Sequence, residues 1–470
     1  MIIILYVMDS LRPDFLSCYG HSGETSPHID ALAREGVLFT NAFAQSTWTR
    51  AAGASILSSL YPSVHRVQTH EDYLPSFVPL LPEELGTNGF KTMAVTGMGN
   101  ISRHFGFARG FDDFVELYKE KTVMEKRKIV PVKGTGWEIH FKVDTDDVPI
   151  ATSEDINEFV LSFLRRQKNE DSFIFVWSID THAPYFHRDP GMRRFAPSTE
   201  YVSCEDLAVM KDEKELKRSE LIYKDMIYFN DHQIGVLMEE LKKMGLYEDM
   251  LLILTGDHGE AFGEHGVTCH GKVPHDEQIR VPLIMKFPFS RFTGEVSSIV
   301  QHIDIAPTVL DYLGLPVGSG GRQGRSLTPV FRDHLKVNDY AFTEYQLKNE
   351  FPSYISIRTE EYKYIAVRRP EKRWVRRFRA RMRLRPSTRF RHKPVYLFNL
   401  KNDPEEKVNI LHADREKAKS FHAVGKTFYR DNQKMTSFLE GREPRPGIHG
   451  IGQKPDEEVA KQLKALGYFE

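Results

Sequence analysis

Apolar residues gather in short, nearly unbroken runs through the first half of the chain. Ile2–Met8 is the clearest, and Lys91–Val95, Phe173–Ser178 and Met250–Leu254 look alike. Such runs predict strands covered on both faces of a mostly parallel sheet. Between them the pattern is helical. Ser153–Arg166 carries apolar residues at helical spacing, and Glu215–Met244 predicts a long helix closed by Gly245. Val281–Lys286 predicts a further strand, and Asp304–Leu313 a helix ended by Gly314. Strands alternating with helices predict an α/β fold, a central sheet flanked by helices.

The pattern changes after Gly318–Gly324 (GSGGRQG), a linker or loop by composition. Beyond it lie short strand signals at Tyr340–Thr343, Ser353–Arg358, Tyr362–Val367 and Val395–Phe398, then a terminal helix at Asp456–Leu466. They predict a smaller α+β subdomain with an antiparallel sheet over 331–470, behind a large domain over 1–330. There is no internal repeat.

Composition excludes a disordered or fibrous chain: 40% of the 470 residues are apolar and 27% charged. Whole-chain charge, 64 basic against 65 acidic residues, predicts no polyanionic partner. Its distribution does. Arg368–Lys393 holds thirteen Lys or Arg against one acid, Glu371, a net +12, which leaves −13 on the remainder. This is either a solvated hairpin insertion or a surface for an anionic membrane or glycan, with Trp374, Phe378 and Phe390 set among the charges. No nucleic-acid-binding motif accompanies it, so nucleic acid is not the expected partner. The three cysteines, Cys18, Cys204 and Cys269, are few, odd in number and far apart. That argues against a disulfide scaffold and fits a reducing compartment. Ile2–Met8 is far shorter than the roughly 20 residues that span a bilayer and lacks signal-peptide flanks, so a cytoplasmic protein is expected.

Four clusters carry chemistry: Asp9-Ser10-Leu11-Arg12, Trp48-Thr49-Arg50, Asp180-Thr181-His182, and Thr255-Gly256-Asp257-His258-Gly259-Glu260 with His265 and His270 behind it. Three of them follow a strand, where loops of open α/β sheets bind ligands. Asp9, Asp257 and His258 offer an O,O,N set suited to Mg, Mn, Ca or Zn. Each residue also has a plain reading. Thr49 could cap a helix, Asp257-His258-Gly259 could be a turn, Asp9 is a common strand-end residue and His182 a packed loop histidine. The set stands out through its joint occurrence in this order.

In that order the motifs resemble the sulfatase family of the alkaline-phosphatase superfamily. The residues that carry the resemblance are Asp9-Ser-Leu-Arg-Pro-Asp-Phe-Leu-Ser-Cys-Tyr-Gly20, Ser26-Pro-His-Ile-Asp through Asn41, Thr255-Gly-Asp-His-Gly-Glu-Ala-Phe-Gly-Glu-His-Gly266 and Arg280-Val-Pro-Leu-Ile284. Leu397-Phe-Asn-Leu-Lys-Asn-Asp-Pro-Glu405 has a counterpart too. The resemblance implies an alkaline-phosphatase-like fold, with 1–330 the catalytic domain. It implies a cation held by Asp9, Asp257 and His258 beside the Thr49 hydroxyl. Thr49 falls at the nucleophile when counted back from Tyr61-Pro62. His182 would contact the substrate anion or assist the leaving group, and His270 or Lys272 would take the later basic position. Arg50 is expected at the substrate, and a second cation near Asp180, His182 and His270. The departures are specific. Family members carry Cys or Ser in a Cys/Ser-x-Pro-x-Arg motif as the formylglycine precursor, whereas this chain reads Thr49-Arg-Ala-Ala-Gly53. Oxidising threonine would give a ketone, not an aldehyde. Ser10 replaces the second aspartate, and Met98 falls near the family's strand-end lysine. The expected activity is metal-dependent hydrolysis of a small-molecule or polymer-linked sulfuric or phosphoric ester through Thr49. The alternatives are a phosphodiesterase or phospho-headgroup transferase, and a non-catalytic anion-binding protein of the same fold.

Overall fold

The structure is a computed structural model that describes residues 1–470 apart from 121–122, 124–149, 168–169, 198–201, 210–211, 318–320, 347–351, 369–391, 442–455 and 467–470. The interior of the basic segment therefore lies outside the described residues.

Nine strands form the main sheet. They are β1 (Ile2–Met8), β2 (Val37–Phe43), β3 (Lys91–Thr96), β4 (Asp113–Glu116), β5 (Ser172–Ser178), β6 (Met250–Gly256), β9 (Arg280–Lys286), β10 (Gly294–Val296) and β11 (Val300–Gln301). Their order is β10-β2-β9-β6-β1-β5-β3-β4, with β11 also on β2. Only β9 runs antiparallel to its neighbours. The period of two sorts β1 between two cores. Ile3, Leu5 and Val7 join Phe173, Phe175 and Trp177 on one face, while Ile4, Tyr6 and Met8 join Ile174 and Val176 on the other. The second face is covered by the helices Ser153–Arg166 and Glu213–Lys243. No described helix is long and apolar enough to cross a membrane.

A four-stranded antiparallel sheet follows: β12 (Ala341–Tyr345), β13 (Ser353–Arg358), β14 (Tyr362–Arg368) and β15 (Lys393–Asn399). The helix Arg415–Glu440 packs on it through Ala418, Phe421 and Phe428. Sequence patterning missed this helix because Gly425, Asn432 and Thr436 stand among the apolar residues of its buried stripe. The terminal helix Glu457–Ala465 packs elsewhere: Val459 and Leu463 join the core of the main sheet, and Gln462 bonds Gly97 and Gly99.

One expectation narrows and another needs correction. Of the two readings of the Gly-rich stretch, residues 321–324 are the loop and not the linker. Arg322 Nη1 bonds both carboxylate oxygens of Glu84 at 2.8 Å, and a Cβ on Gly324 would lie 1.8 Å from the Ile303 carbonyl oxygen. The cysteines are not all isolated thiols either. The hairpin of β7 (Ala261–Phe262) and β8 (Thr268–Cys269) packs on the helix Cys204–Val209, and Cys204 and Cys269 form a disulfide. Their separation of 65 residues hid the pair.

A charged seam joins the main domain to the small sheet. Lys363, fully buried, pairs with Asp276 at 2.8 Å and Glu406 at 2.7 Å. His275 Nδ1 lies 2.5 Å from Glu406, and its ring stacks on His265 at 3.8 Å and 7°. His265, His275 and Glu406 place ligand atoms within 4.8 Å of one another. They do not form a good cation site. Parallel stacked rings cannot converge their in-plane lone pairs on one point. Moreover, Nδ1 of His265 faces Glu277 at 2.9 Å and Nε2 faces the Glu406 carbonyl at 3.2 Å, so both nitrogens meet oxygen acceptors. That is the environment of an imidazolium, and the Glu277 hydrogen bond raises the His265 pKa. A raised folded-state pKa stabilises fully below the unfolded value, about 6.5, and the gain is lost as pH rises through the folded value. Thermal melts of wild type minus His265→Gln should therefore show an advantage of up to about 1 kcal/mol near pH 6 that fades by pH 9. A difference independent of pH would refute the imidazolium.

Candidate active site

Register brings the strand-end residues together. Met8 of β1 pairs with Ser178 of β5 on one side and Gly256 of β6 on the other, so three central parallel strands end level. The chain after each carries Asp9, Asp180-Thr181-His182 and Asp257-His258. Thr181 Oγ1 donates to the Asp9 carbonyl and locks two of these loops together. Ser10 turns the first loop in a left-handed conformation (φ 61°), clamped by Tyr223, whose hydroxyl donates to the Ser10 carbonyl at 2.7 Å. Gly259 is required: a Cβ there would lie 2.1 Å from the Glu277 carbonyl oxygen.

Thr49 arrives from the other side of the sheet order, at the first turn of the helix Thr49–Ser58 that follows β2. The connection is fixed by β12, because Thr343 Oγ1 donates to the Ala44 carbonyl and Glu344 N to the Gln45 carbonyl. The capping reading of Thr49 is corrected. Trp48 occupies the N-cap position and makes no side-chain cap bond. Thr49 Oγ1 instead lies 3.3 Å from His258 Nε2. The helix thus points its positive end at the same place as the hydroxyl.

Asp9, Asp257 and His258, all fully buried, bring one ligand atom each within 4.8 Å of the others. Asp9 Oδ2 accepts from Trp177 Nε1 at 2.8 Å. Asp257 Oδ1 accepts from the backbone amides of Ser10 and His258, both at 2.8 Å, while its Oδ2 has no hydrogen-bond partner. His258 Nδ1 lies 2.8 Å from the Gly259 carbonyl, which assigns the proton to Nδ1 and turns the Nε2 lone pair to the carboxylates. Burial, and after it the charge of Asp9, raises the Asp257 carboxyl well above its ordinary range. Burial, helped by His270, pushes His258 down to about 3. Two facing carboxylates, an orphaned oxygen and a neutral imidazole fit a divalent cation.

A second layer of imidazoles surrounds these groups. His270 lies 4.6 Å from His258 and 4.8 Å from His182, ring centre to ring centre. His182 Nδ1 meets the Ala183 carbonyl and His270 Nδ1 lies 3.2 Å from Glu260 Oε2. Both rings are therefore held through Nδ1. Burial, then His182 and Lys272, hold the His270 pKa well below its ordinary value. Lys272 is exposed.

The structure does not bring every expected residue to the centre. Arg50 spends its guanidinium on the protein: Nη1 donates to the carbonyls of His70 and Asp72, Nη2 to Asn100, and the group lies over the Phe105 ring. It holds the helix in place, and its assignment to the substrate is withdrawn. Asp180, His182 and His270 do not converge on one point. Asp180 turns inward to Ser153, Ser178 and the buried Arg188, which removes the second cation site. One residue, Trp177, was missed, and another, Glu260, was named without a role. Trp177 looked like plain core at the end of an apolar run; only the need of a buried indole N–H for an acceptor pointed to Asp9. Glu260, fully buried and pushed up to about 7 by burial, was visible as a carboxylate two positions after His258.

This chain is similar to known proteins. A family model described as Sulfatase matches residues 2–315, and one described as N-sulphoglucosamine sulphohydrolase, C-terminal, matches residues 263–376. An arylsulfatase of Clostridium perfringens is 23% identical over 467 residues, covering 88% of this chain and 91% of its own. An N-acetylglucosamine-6-O-sulfatase of Bacteroides thetaiotaomicron is 23% identical over 442 residues, covering 77% and 78%. The crystal structure of the phosphonate monoester hydrolase of Agrobacterium radiobacter superimposes with a TM-score of 0.65 at 21% identity, over 93% of this chain and 95% of that one. It shares the fold.

Proposed function

This chain belongs to the sulfatase family of the alkaline-phosphatase superfamily, and on that premise we propose that it hydrolyses a phosphoric or sulfuric ester, with the Thr49 hydroxyl as nucleophile. The observation that carries the reading is the placement of Thr49 Oγ1 3.3 Å from His258 Nε2, at a helix N-terminus and beside the two carboxylates. Asp9, Asp257 and His258 would hold a divalent cation, which would lower the pKa of the hydroxyl and offset negative charge on the reacting group. Thr49 Oγ1 forms the new bond to phosphorus or sulfur and releases its proton to solvent. The bond to the alcohol breaks, and the leaving oxygen takes a proton delivered through His182 or His270. Water then cleaves the threonine ester.

Local packing supports an unmodified nucleophile. The family's motif places an arginine where this chain has Gly53. A side chain there would press on its neighbours: a Cβ at Gly53 would lie 2.6 Å from Ile101 Cδ1 and 3.2 Å from the Trp177 ring. Trp177 is committed to Asp9, so the ring cannot simply leave. A threonine also has a single hydroxyl, so its ester cannot collapse to a carbonyl as that of an aldehyde hydrate does. Release must come from water attacking the central atom. We therefore place phosphoric esters ahead of sulfuric ones. The names of relatives that act on glycan sulfates favour a sugar as the esterified alcohol.

The test is a peptide mass together with a substrate panel. The peptide bearing Thr49 should have the mass of unmodified threonine, and the protein supplied with Mn, Mg, Ca or Zn should cleave 4-nitrophenyl phosphate or bis(4-nitrophenyl) phosphate faster than 4-nitrophenyl sulfate. Loss of two hydrogens at Thr49, or cleavage of none of the three esters, sinks the proposal.

A further inference from the structure

We propose that the polar cavity between the small sheet and the helix Arg415–Glu440 is a second anion subsite, which holds an acidic group of the substrate remote from the ester that reacts. The word substrate rests on the function proposed above; the cavity's capacity to bind an anion does not.

The cavity measures about 130 Å³. That is well below the few hundred Å³ of a whole-ligand pocket. It fits one functional group. Arg368, His392 and the Gln346 amide line it, with Tyr345 and Tyr354 forming a wall. A guanidinium beside an imidazole and an amide is a donor set for a planar or tetrahedral oxyanion. One carboxyl, Glu344, also lines the space. Its Oε2 accepts from Ser63 N at 2.9 Å, and burial pushes its pKa up to about 7, so it opposes an anion only weakly. Burial and the Arg368 charge push His392 down to about 4, so this imidazole gains most from an arriving negative charge.

The cavity's position links it to the reaction centre. Tyr345 and Tyr354 stack at 6.2 Å and 25°. Tyr345 packs against Trp48 and Ala51, which bracket Thr49 and Arg50. On its other edge, Tyr345 Cε2 is 3.9 Å from where a Cβ on Gly271 would sit, next to His270. Tyr345 thus touches both the cavity and the start of the helix that carries Thr49.

The experiment counts inorganic phosphate sites on the full chain by titration calorimetry. Wild type should bind two ions. Arg368→Gln with His392→Gln should bind one, and His182→Ala with His270→Ala should also bind one. Gln346→Glu, which keeps the side chain's shape and adds a like charge to the cavity, should remove the same site as Arg368→Gln, and this guards against a double variant that fails to fold. A count of two in Gln346→Glu overturns the subsite, as does a wild-type count of one that vanishes with His182→Ala and His270→Ala. A wild-type count of one that vanishes with Gln346→Glu leaves the subsite standing and overturns the catalytic reading.

Discussion

Thr49→Ala is expected to lower turnover on the best ester by about 10⁴-fold or more, the loss typical of a removed nucleophile. Its melting temperature should match that of Thr49→Ser, since both lose the same buried methyl group. This pairing of outcomes distinguishes a nucleophile from a capping threonine, whose replacement by Ala costs about 1 kcal/mol of stability. The structure sets the distinction up: Trp48 holds the N-cap position, and Thr49 Oγ1 lies 3.3 Å from His258 Nε2. Thr49→Ser keeps the hydroxyl and loses only a methyl group in a fully buried place, so it should stay within about tenfold of wild type in kcat, with a small packing loss. Steady-state kinetics and thermal melts on the three proteins decide the matter. Equal rates in wild type and Thr49→Ala, with the cation supplied, would remove the chemical role of this residue.

What could be read from the sequence follows from what periodicity encodes. Strand β1, the helix Ser153–Arg166 and the strand β13 lie where their patterns place them, because burial on both faces, on one stripe and on one face each leaves a direct mark on the chain. Asp9, Asp257 and His258 were legible because each follows a buried strand, and parallel strands in register end level. Arg50 was not, since the carbonyls of His70 and Asp72 that claim it belong to a loop with no pattern of its own. Asp180 misled for the same reason: its position after β5 is right, but Ser153 and Arg188 turn its carboxylate inward. Contacts distant along the chain, such as Cys204 with Cys269, leave no periodic trace at all.

Asp257→Asn should separate the cation from the fold. In the metal-free protein Asp9 and Asp257 face each other, fully buried, and among the described residues His258 is the only basic side chain paired with them. The folded-state pKa of Asp257 lies well above its unfolded value, so the folded protein holds a proton that the unfolded chain gives up. That makes Asp257 a destabilising group above the unfolded value of about 3.9, increasingly so until pH passes the folded value. Metal-free wild type should therefore owe this site a loss of stability that shrinks on acidification from neutral pH. Asparagine keeps the carbonyl oxygen that accepts from Ser10 and His258 and removes the charge. In EDTA at pH 8, Asp257→Asn is expected to melt above wild type, against the usual direction for a buried substitution. Adding the correct cation at a hundred times its Kd should stabilise wild type by about 2.7 kcal/mol and Asp257→Asn far less. Activity should follow the cation, falling in the variant by about the 10²–10³-fold that one lost electrostatic contact to the transition state costs. If wild type shows no thermal shift with Mg, Mn, Ca or Zn, or if Asp257→Asn melts below wild type in EDTA, then the two carboxylates are not paired around a cation and their burial must have another cause.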